Sequence, residues 1–359
     1  MRKFKRVTLQ VIGGANVASC LVMLLIGLTD RLDPEHYSLL SNLGLLFPVI
    51  LVVNIGFLVF WGFVKPRGML ISLAGLLLCY GPVRRYSPIN LPSSAPAGSI
   101  KVLSYNVWLY GGGHPDERPN RVLEYIKRQN ADIVCLQEAD LNAAGVGYVD
   151  SILRPVYQFR DSVQHGGDVV VLFSKYPIHG KERIEYTSKG NLSAAFRVQI
   201  KGTTVIVINN HFESTGLNPS EKADFKLLVK GEMKTDTVRH FSKLLVKLLA
   251  EATKKRAPEA EAVARYISYH RGTPMIVCGD FNDTPISYVH RTVGKGLTDC
   301  YVSTANGPGI SYHVNGFYVR IDNLFCTDDF EPYACRVDRS IDASDHYPIY
   351  CWLKMRKKQ

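Results

Sequence analysis

A mixed α/β (α+β) domain preceded by N-terminal transmembrane helices is the fold class that the sequence predicts. Three observations carry that expectation. Long apolar runs are confined to the first 85 of 359 residues, although apolar residues make up 46% of the whole. Beyond residue 98, short β-branched runs alternate with stretches of helical period. Several of those runs also stop on a polar residue, as strands do when their ends line one rim of a sheet.

The anchor comes first. Met1-Arg2-Lys3-Phe4-Lys5-Arg6 is basic and leads into an apolar stretch from about Val7 to Leu28, long enough to cross a bilayer. No small-residue cleavage site follows it; Asp30-Arg31-Leu32-Asp33 does, so the stretch reads as a span rather than a signal peptide. A second stretch runs from about Leu39 to Val64 and is broken by Lys65-Pro66-Arg67. A third, Met69 to about Val83, is marginal in length. The basic N-terminus with Lys65 and Arg67 belongs on the cytoplasmic side, opposite the acidic loop Asp30–Tyr37. Three crossings then carry the rest of the chain outside the cytoplasm; two would leave it inside, which Arg84-Arg85 favours. The expectation is an integral membrane protein with an extracytoplasmic domain. Its parts are a two- or three-helix anchor over 1–86, a linker over 87–98 and a globular domain over 99–359. The linker, SPINLPSSAPAG, is rich in Pro, Ser and Ala and reads as semi-stiff.

Within the domain, Lys101–Tyr105 reads as a strand ending at Asn106, and Asp116–Gln129 as a helix with Val122, Tyr125 and Ile126 on one side. Ile133–Leu136 is a strand ending at Gln137-Glu138, and Val169–Phe173 another. Phe196–Ile200 and Thr204–Ile208 form a hairpin turning at Lys201-Gly202, whose second arm runs into Asn209-Asn210-His211. A helical insertion at about 215–270 follows, with Val238, Phe241, Leu245, Leu248 and Leu249 at helical spacing. Its other face is basic: Lys222 to Arg256 holds 10 Lys/Arg against 4 Asp/Glu. That face is a solvated helix surface or one that meets anionic lipid or substrate. Met275–Cys278, Ile321–Cys326 and Ile349–Leu353 are the closing strands.

Charge and cysteine content exclude some classes. The formal charge of +11 is shared between the anchor and the domain, and the domain's part falls short of a dedicated nucleic-acid-binding arm. Eight cysteines include no CxxC pair, so neither a zinc site nor a disulfide framework is indicated. Cys135, Cys278, Cys326 and Cys351 sit in apolar runs as small buried hydrophobes, and a Cys300–Cys335 bridge stays open.

The chemistry centres on GDFNDTP, residues 279–285, where a buried strand delivers Asp280 and Asn282 onto a loop. Spaced two apart, they point the same way if the strand continues. Hydrolysis at phosphorus needs a hard cation, a positioned water and neutralisation of phosphoryl charge. Glu138 suits a Mg²⁺ ligand, with Asp345 as a further one and Asn106 orienting Glu138 or a phosphate oxygen. Asp280 can position and deprotonate the water, Asn282 can hold it, and His211 and His346 can contact phosphate oxygens. A carboxylate beside such a histidine keeps it charged, and Asp322 is the candidate.

Ser104-Tyr105-Asn106-Val107, the segment Asp132 to Glu138, Asn210-His211-Phe212-Glu213-Ser214, GDFND, Ile321-Asp322 and Ser344-Asp345-His346-Tyr347-Pro348 resemble the endonuclease/exonuclease/phosphatase superfamily, in family order over about 99–355. That superfamily includes pancreatic-type deoxyribonucleases, abasic-site endonucleases, neutral sphingomyelinases and inositol polyphosphate phosphatases. The chain looks like a membrane-anchored, bacterial-type member. The resemblance implies a four-layer sandwich of two mixed β-sheets flanked by helices, and phosphoester hydrolysis with Mg²⁺, or Mn²⁺ in its place. It also implies that Glu138 binds metal, that Asp280 handles the water and that His346 steadies the phosphorane with Asp322 behind it. Some features depart from the pattern. Asn323 stands where an aromatic is common, Asp168 where many relatives have a small residue, and Asn191 is the nearest stand-in for an arginine that some nucleases carry. The Asn-Tyr-Arg of inositol phosphatases is missing. The expected substrate is nucleic acid or a phospholipid headgroup, reached from the membrane, and the sequence points to no protein partner. The alternative is an inactive domain that binds phosphorylated ligands.

Overall fold

The computed structural model describes residues 2–112 and 117–356. Its first helices are α1 (Arg2–Gly27), α2 (Pro34–Ser41), α3 (Phe47–Val64), α4 (Met69–Leu78) and α5 (Tyr80–Tyr86). Two stretches, Phe4–Arg31 and Pro34–Val64, are long and apolar enough to cross a membrane. The third, α4 with α5, is bent by 73°. Close contacts set the three side by side: Gly13 faces Trp61 and Ile71, Gly75 meets Cys20, and Gly27 meets Phe47 and Pro82. The run α4–α5 therefore returns the chain to the end of the bundle that holds the loop 28–46.

A buried polar network ties the three together. Trp61 Nε1 and Ser72 Oγ both donate to Asn16 Oδ1 at 3.0 Å, and Ser19 Oγ donates to Asn54 Oδ1 at 3.0 Å. Buried polar groups need partners, and these bonds fix how the three helices pack.

Twelve strands follow among the described residues: β1 (Ile100–Asn106), β2 (Ile133–Gln137), β3 (Phe159–His165), β4 (Asp168–Ser174), β5 (Ile178–Ile184), β6 (Leu192–Ile200), β7 (Thr203–His211), β8 (Met275–Asp280), β9 (Thr298–Asp299), β10 (Asp322–Cys326), β11 (Phe330–Val337) and β12 (Ile349–Met355). They form two six-stranded sheets, ordered β11-β12-β1-β2-β4-β3 and β5-β6-β7-β8-β10-β9. Each is mixed, with one parallel pair, β1–β2 or β7–β8, at its middle. Helices cover the outer faces, so the expected four-layer sandwich is the observed one. Strands β3, β5, β9 and β11 lie outside the sequence expectation.

Side-chain parity builds three cores. Val102, Ile133, Cys135, Val170, Val207, Ile276, Cys278 and Leu324 point between the sheets. Their chain neighbours Leu103, Val134 and Val171 pack outward under α6 (Arg121–Gln129), and Ile206, Ile208 and Val277 pack outward under the long insertion helix. Helix α6 starts at Arg121 because Asn120 caps the Val122 and Leu123 amides; the Asp116 at which a helix is expected lies outside the described residues. The insertion forms two helices, α7 (Pro219–Lys230), opened by an Asn218–Glu221 capping box, and α8 (Thr235–Tyr269). All eight cysteines are free, and Cys300 Sγ lies 3.7 Å from Cys326 Sγ, so the Cys300–Cys335 bridge left open by the sequence is not formed.

The N-terminal helices and the sandwich are joined by more than the chain. Asp30, with no exposed surface, places Oδ2 2.5 Å from Arg85 Nη1 and 3.6 Å from Arg291 Nη1 of the domain. Arg85 is thus neutralised by a carboxylate of the N-terminal helical segment, which reduces its weight as a cytoplasmic marker. Thr253 Oγ1 donates to Asn42 Oδ1 at 2.9 Å, and a Cβ on Gly44 would lie 2.0 Å from the Ile286 carbonyl oxygen. The stretch 87–98 has no regular structure and lies along the domain, with Asn90 Nδ2 donating to the Val302 and Ala305 carbonyls. Replacing Asp30 with Asn leaves two guanidinium groups without their shared charge. The expected loss is about 3 kcal/mol, read as a lower unfolding temperature and as earlier proteolysis between anchor and domain.

Candidate active site

The inward-facing parity of each central strand runs from apolar to polar towards the same rim. On β1 it goes Val102, Ser104, Asn106; on β2 Cys135, Gln137; on β7 Val207, Asn209, His211; on β8 Ile276, Cys278, Asp280. Strand β10 adds Asp322, in register with Asp280, and β4 adds Asp168. A buried amide layer lies under the charged one: Gln137 Nε2 donates to Asn209 Oδ1 at 2.6 Å and to Ser104 Oγ at 3.2 Å. This layer grades the interior from hydrocarbon to charge, each amide making at least one hydrogen bond although Gln137 Oε1 has no partner.

Asn106 crosses between the sheets. Its Nδ2 donates to Glu138 Oε1 at 2.9 Å and to Asp280 Oδ2 at 3.1 Å. The same Asp280 oxygen lies 3.5 Å from His346 Nε2 and 3.8 Å from His211 Nε2. Each imidazole is held from behind: His346 Nδ1 lies 2.8 Å from Asp322 Oδ2, and His211 Nδ1 2.7 Å from Asp168 Oδ2. Two His–Asp pairs therefore present Nε2 to one carboxylate oxygen. Asp322, the candidate partner named from the sequence, lies directly behind His346. Asp168 holds His211; the sequence marks it only as an unusual residue, and its partner is 43 positions away.

Burial opposes charge on both imidazoles, but the carboxylates around them outweigh it. Asp168 chiefly, with Glu138 and Asp280, raises His211 to about 10. Asp322 and Asp280 do the same for His346, also to about 10. Both rings are cations at neutral pH. Burial lifts Asp280 to about 6, with His346 and His211 pulling against it. A carboxylate poised there is ionised at pH 7 yet basic enough to take a proton.

Strand β8 ends at Asp280, and the chain then turns instead of continuing extended. Asn282 has φ +50°; its backbone N–H donates to Asp280 Oδ1 at 2.8 Å, and its Nδ2 to the Phe212 carbonyl at 2.9 Å. The expected strand-like alignment of Asp280 and Asn282 is thus replaced by a tight turn, which still brings Asn282 Nδ2 within 3.4 Å of Asp280 Oδ2. Gly279 is required: at φ +130° a Cβ would lie 2.0 Å from the Asn210 carbonyl oxygen. Glu138 also sits in the left-handed region, at φ +49°, a cost of the kind found where side chains must be aimed. Asn191 Nδ2 donates to the Phe212 carbonyl at 3.0 Å. Ser344 ties the last motif to the first, with Oγ donating to the Asn106 carbonyl at 2.8 Å, a role its place in the motif does not reveal.

Glu138 keeps a third of its side chain exposed to the cleft, and half-buried Asp345 lines the same cleft. The two carboxylates are hard oxygen donors, which fits Mg²⁺ or Mn²⁺; Asn106 turns Nδ2 towards Glu138, while its Oδ1 accepts from the Trp108 N–H at 3.1 Å. Asp280, Asp322 and His346 also bring ligand-type atoms within 4.8 Å of one another. They are fully buried, and His346 is already bonded to Asp322, so the open side of the cleft is the better place for a hard cation.

The family described as Endonuclease/Exonuclease/phosphatase matches residues 103–346, and a domain of unknown function (DUF8431) matches residues 9–86. The chain is similar to the CCR4-Not complex 3'-5'-exoribonuclease subunit Ccr4 of Schizosaccharomyces pombe, 23% identical over 70% of this chain; it spans 39% of that relative's length. Among solved structures, D. rerio TDP2 complexed with single strand DNA product covers 72% of this chain and 100% of its own, at 16% identity and TM-score 0.51. Beta toxin from Staphylococcus aureus with bound magnesium ions covers 71% and 99%, at 16% identity and TM-score 0.50. At these identities the structures share the fold.

Replacing Asp168 with Asn removes the main charge that holds His211 protonated and leaves the burial that opposes it. The His211 value is then expected to fall from about 10 towards its ordinary range while His346 stays put. Histidine ring NMR against pH reads both; an unmoved His211 would take the pairing away from Asp168.

Proposed function

Because the chain belongs to the endonuclease/exonuclease/phosphatase family, and every converging side chain lies inside the matched segment, we propose that it is a membrane-tethered, divalent-metal-dependent phosphodiesterase. The observation that carries this reading is the placing of Asp280 Oδ2 between two imidazolium groups and the Asn106 amide. Asp280 takes a proton from the attacking water, and Asn282 holds the turn that aims it. Nε2–H of His346 and of His211 face the phosphoryl oxygens as negative charge builds on them, fixed beforehand by Asp322 and Asp168. The oxygen of water bonds to phosphorus, the P–O bond to one ester alcohol breaks, and that alcohol leaves with a proton from solvent. Glu138 and Asp345, with Asn106 beside them, would hold Mg²⁺ or Mn²⁺, which when bound supplies positive charge to the phosphoryl oxygens.

Nucleic acid and a lipid headgroup are the two substrate classes in view. The first is supported by the relatives: the Schizosaccharomyces pombe protein is an exoribonuclease subunit, and D. rerio TDP2 holds a single-strand DNA product. The second is supported by the anchor. The division into 1–86, 87–98 and 99–359 is proposed with it, supported by separate matches to 9–86 and 103–346. So is an extracytoplasmic site, since the domain sits at the end of the bundle opposite Lys65 and Arg67.

The test is hydrolysis of a chromogenic phosphodiester by the full chain in detergent, with Mg²⁺ and with chelator. Asp280→Asn is expected to lower kcat by about 10²- to 10⁴-fold with little change in KM, since its role belongs to the transition state. Full activity in that variant would end the water-activation role, and an inactive wild type would leave a phosphate-binding domain in its place. Glu138→Ala is expected to raise the Mg²⁺ concentration needed for half-maximal rate; an unchanged titration would remove Glu138 from the metal site.

A further inference from the structure

The site does not stand alone at the rim. It is one end of a cleft of about 870 Å³. Glu138, Asp280, Asp345 and His346 line that end. The other end is lined by the anchor, from Leu39 through Leu46 to Pro48 and Val49 in the first turn of α3. Between them the walls are Phe225 of α7, stacked on Phe317 at 3.7 Å, and Leu245 and Leu249 of α8. Of the apolar stripe of α8 noted in the sequence, Leu245 and Leu249 line this cleft and are half-buried, while Phe241 is buried.

Several of these apolar side chains are open to the surroundings. Leu39 is 58% exposed, Leu46 50% and Val49 62%, and each adjoins a helix apolar enough to cross a bilayer. Such exposure is costly in water and is relieved by hydrocarbon. The cationic content of the cleft is small. Lys222 and Arg256 are the only lysine and arginine among its described lining residues, and Arg256 is committed to Asp283 at 3.5 Å and to the Glu213 carbonyl at 3.0 Å. Lys222 and His346 on its lining, with His211 just behind at 3.7 Å from Glu138, match one phosphate. A nucleic-acid strand needs a track of cations along successive phosphates, and leucines occupy the place where that track would run.

Building on the hydrolase reading, we infer that the substrate is a bilayer phospholipid, its phosphodiester between His211 and His346 and one acyl chain laid along Leu245, Leu249 and Leu46 towards α3. The chain enters from the leaflet beside the second span, and the headgroup side faces the open rim. The anchor is then one wall of the substrate site as well as a tether.

The test uses alkyl phosphates as competitors of chromogenic diester hydrolysis by the full chain in detergent, so that no headgroup has to be guessed. Dodecyl phosphate is expected to have a Ki at least about tenfold below that of butyl phosphate, from the added buried methylenes. In Leu46→Ser and Leu249→Ser that ratio should collapse; partition into micelles is common to all proteins and cancels. Leu46 is half exposed, so its replacement leaves the fold intact. An unchanged ratio in both variants overturns the inference, as does a single-stranded oligonucleotide that competes better than dodecyl phosphate. If the diester is not turned over, the hydrolase reading has failed, and the same alkyl-phosphate series read as thermal stabilisation still decides the cleft.

Discussion

One carboxamide holds the site together. Asn106 ends a strand of one sheet, and its Nδ2 reaches Glu138 of the same sheet and Asp280 of the other. A neutral double donor is the group that can sit between two carboxylates in a buried place, because it cancels part of their repulsion and adds no charge of its own. Ser344 then ties its backbone to the motif that carries His346. Four separated stretches of chain meet at this one residue, which links the two sheets at the rim.

The same centre explains what was legible in the sequence. A central strand is buried on both faces, so β1, β2, β4, β6, β7, β8, β10 and β12 announce themselves as apolar runs, and their polar ends stand out. The strands missed are β3, β5, β9 and β11, which are the four sheet edges. Phe159–His165 and Ile178–Ile184 are half-buried and carry charge throughout, as edges must if they are not to pair with another chain. Their composition is that of a loop. Asp168 was hidden for a different reason: it becomes a partner of His211 only when β4 and β7 face each other across the core, and no local spacing encodes that. The turn at Asn282 was hidden because alternation cannot show where a strand stops.

The relation of anchor to domain was equally invisible. Asp30 reads in a sequence as one acid of a loop and Arg85 as a topological charge. In the folded chain they are partners, joined by Arg291 from beyond residue 280. Hydropathy reports where a helix can meet lipid, but it does not report which flanking residues meet protein. The segment from Pro34 to Leu46 is apolar enough to be counted with the second span, yet it packs through Asn42 and Gly44 on the domain.

That clamp has a geometric consequence. A free linker of twelve residues would let a tethered domain sweep a hemisphere, and its reach would be a distribution. Here the strap between residues 87 and 98 is pinned through Asn90, and the loop between the spans is locked against the domain. The anchor therefore acts as a ruler. On the membrane-tethered reading proposed above, the carboxylates of the cleft stand at one height and one tilt above the bilayer, and a substrate is met at that height.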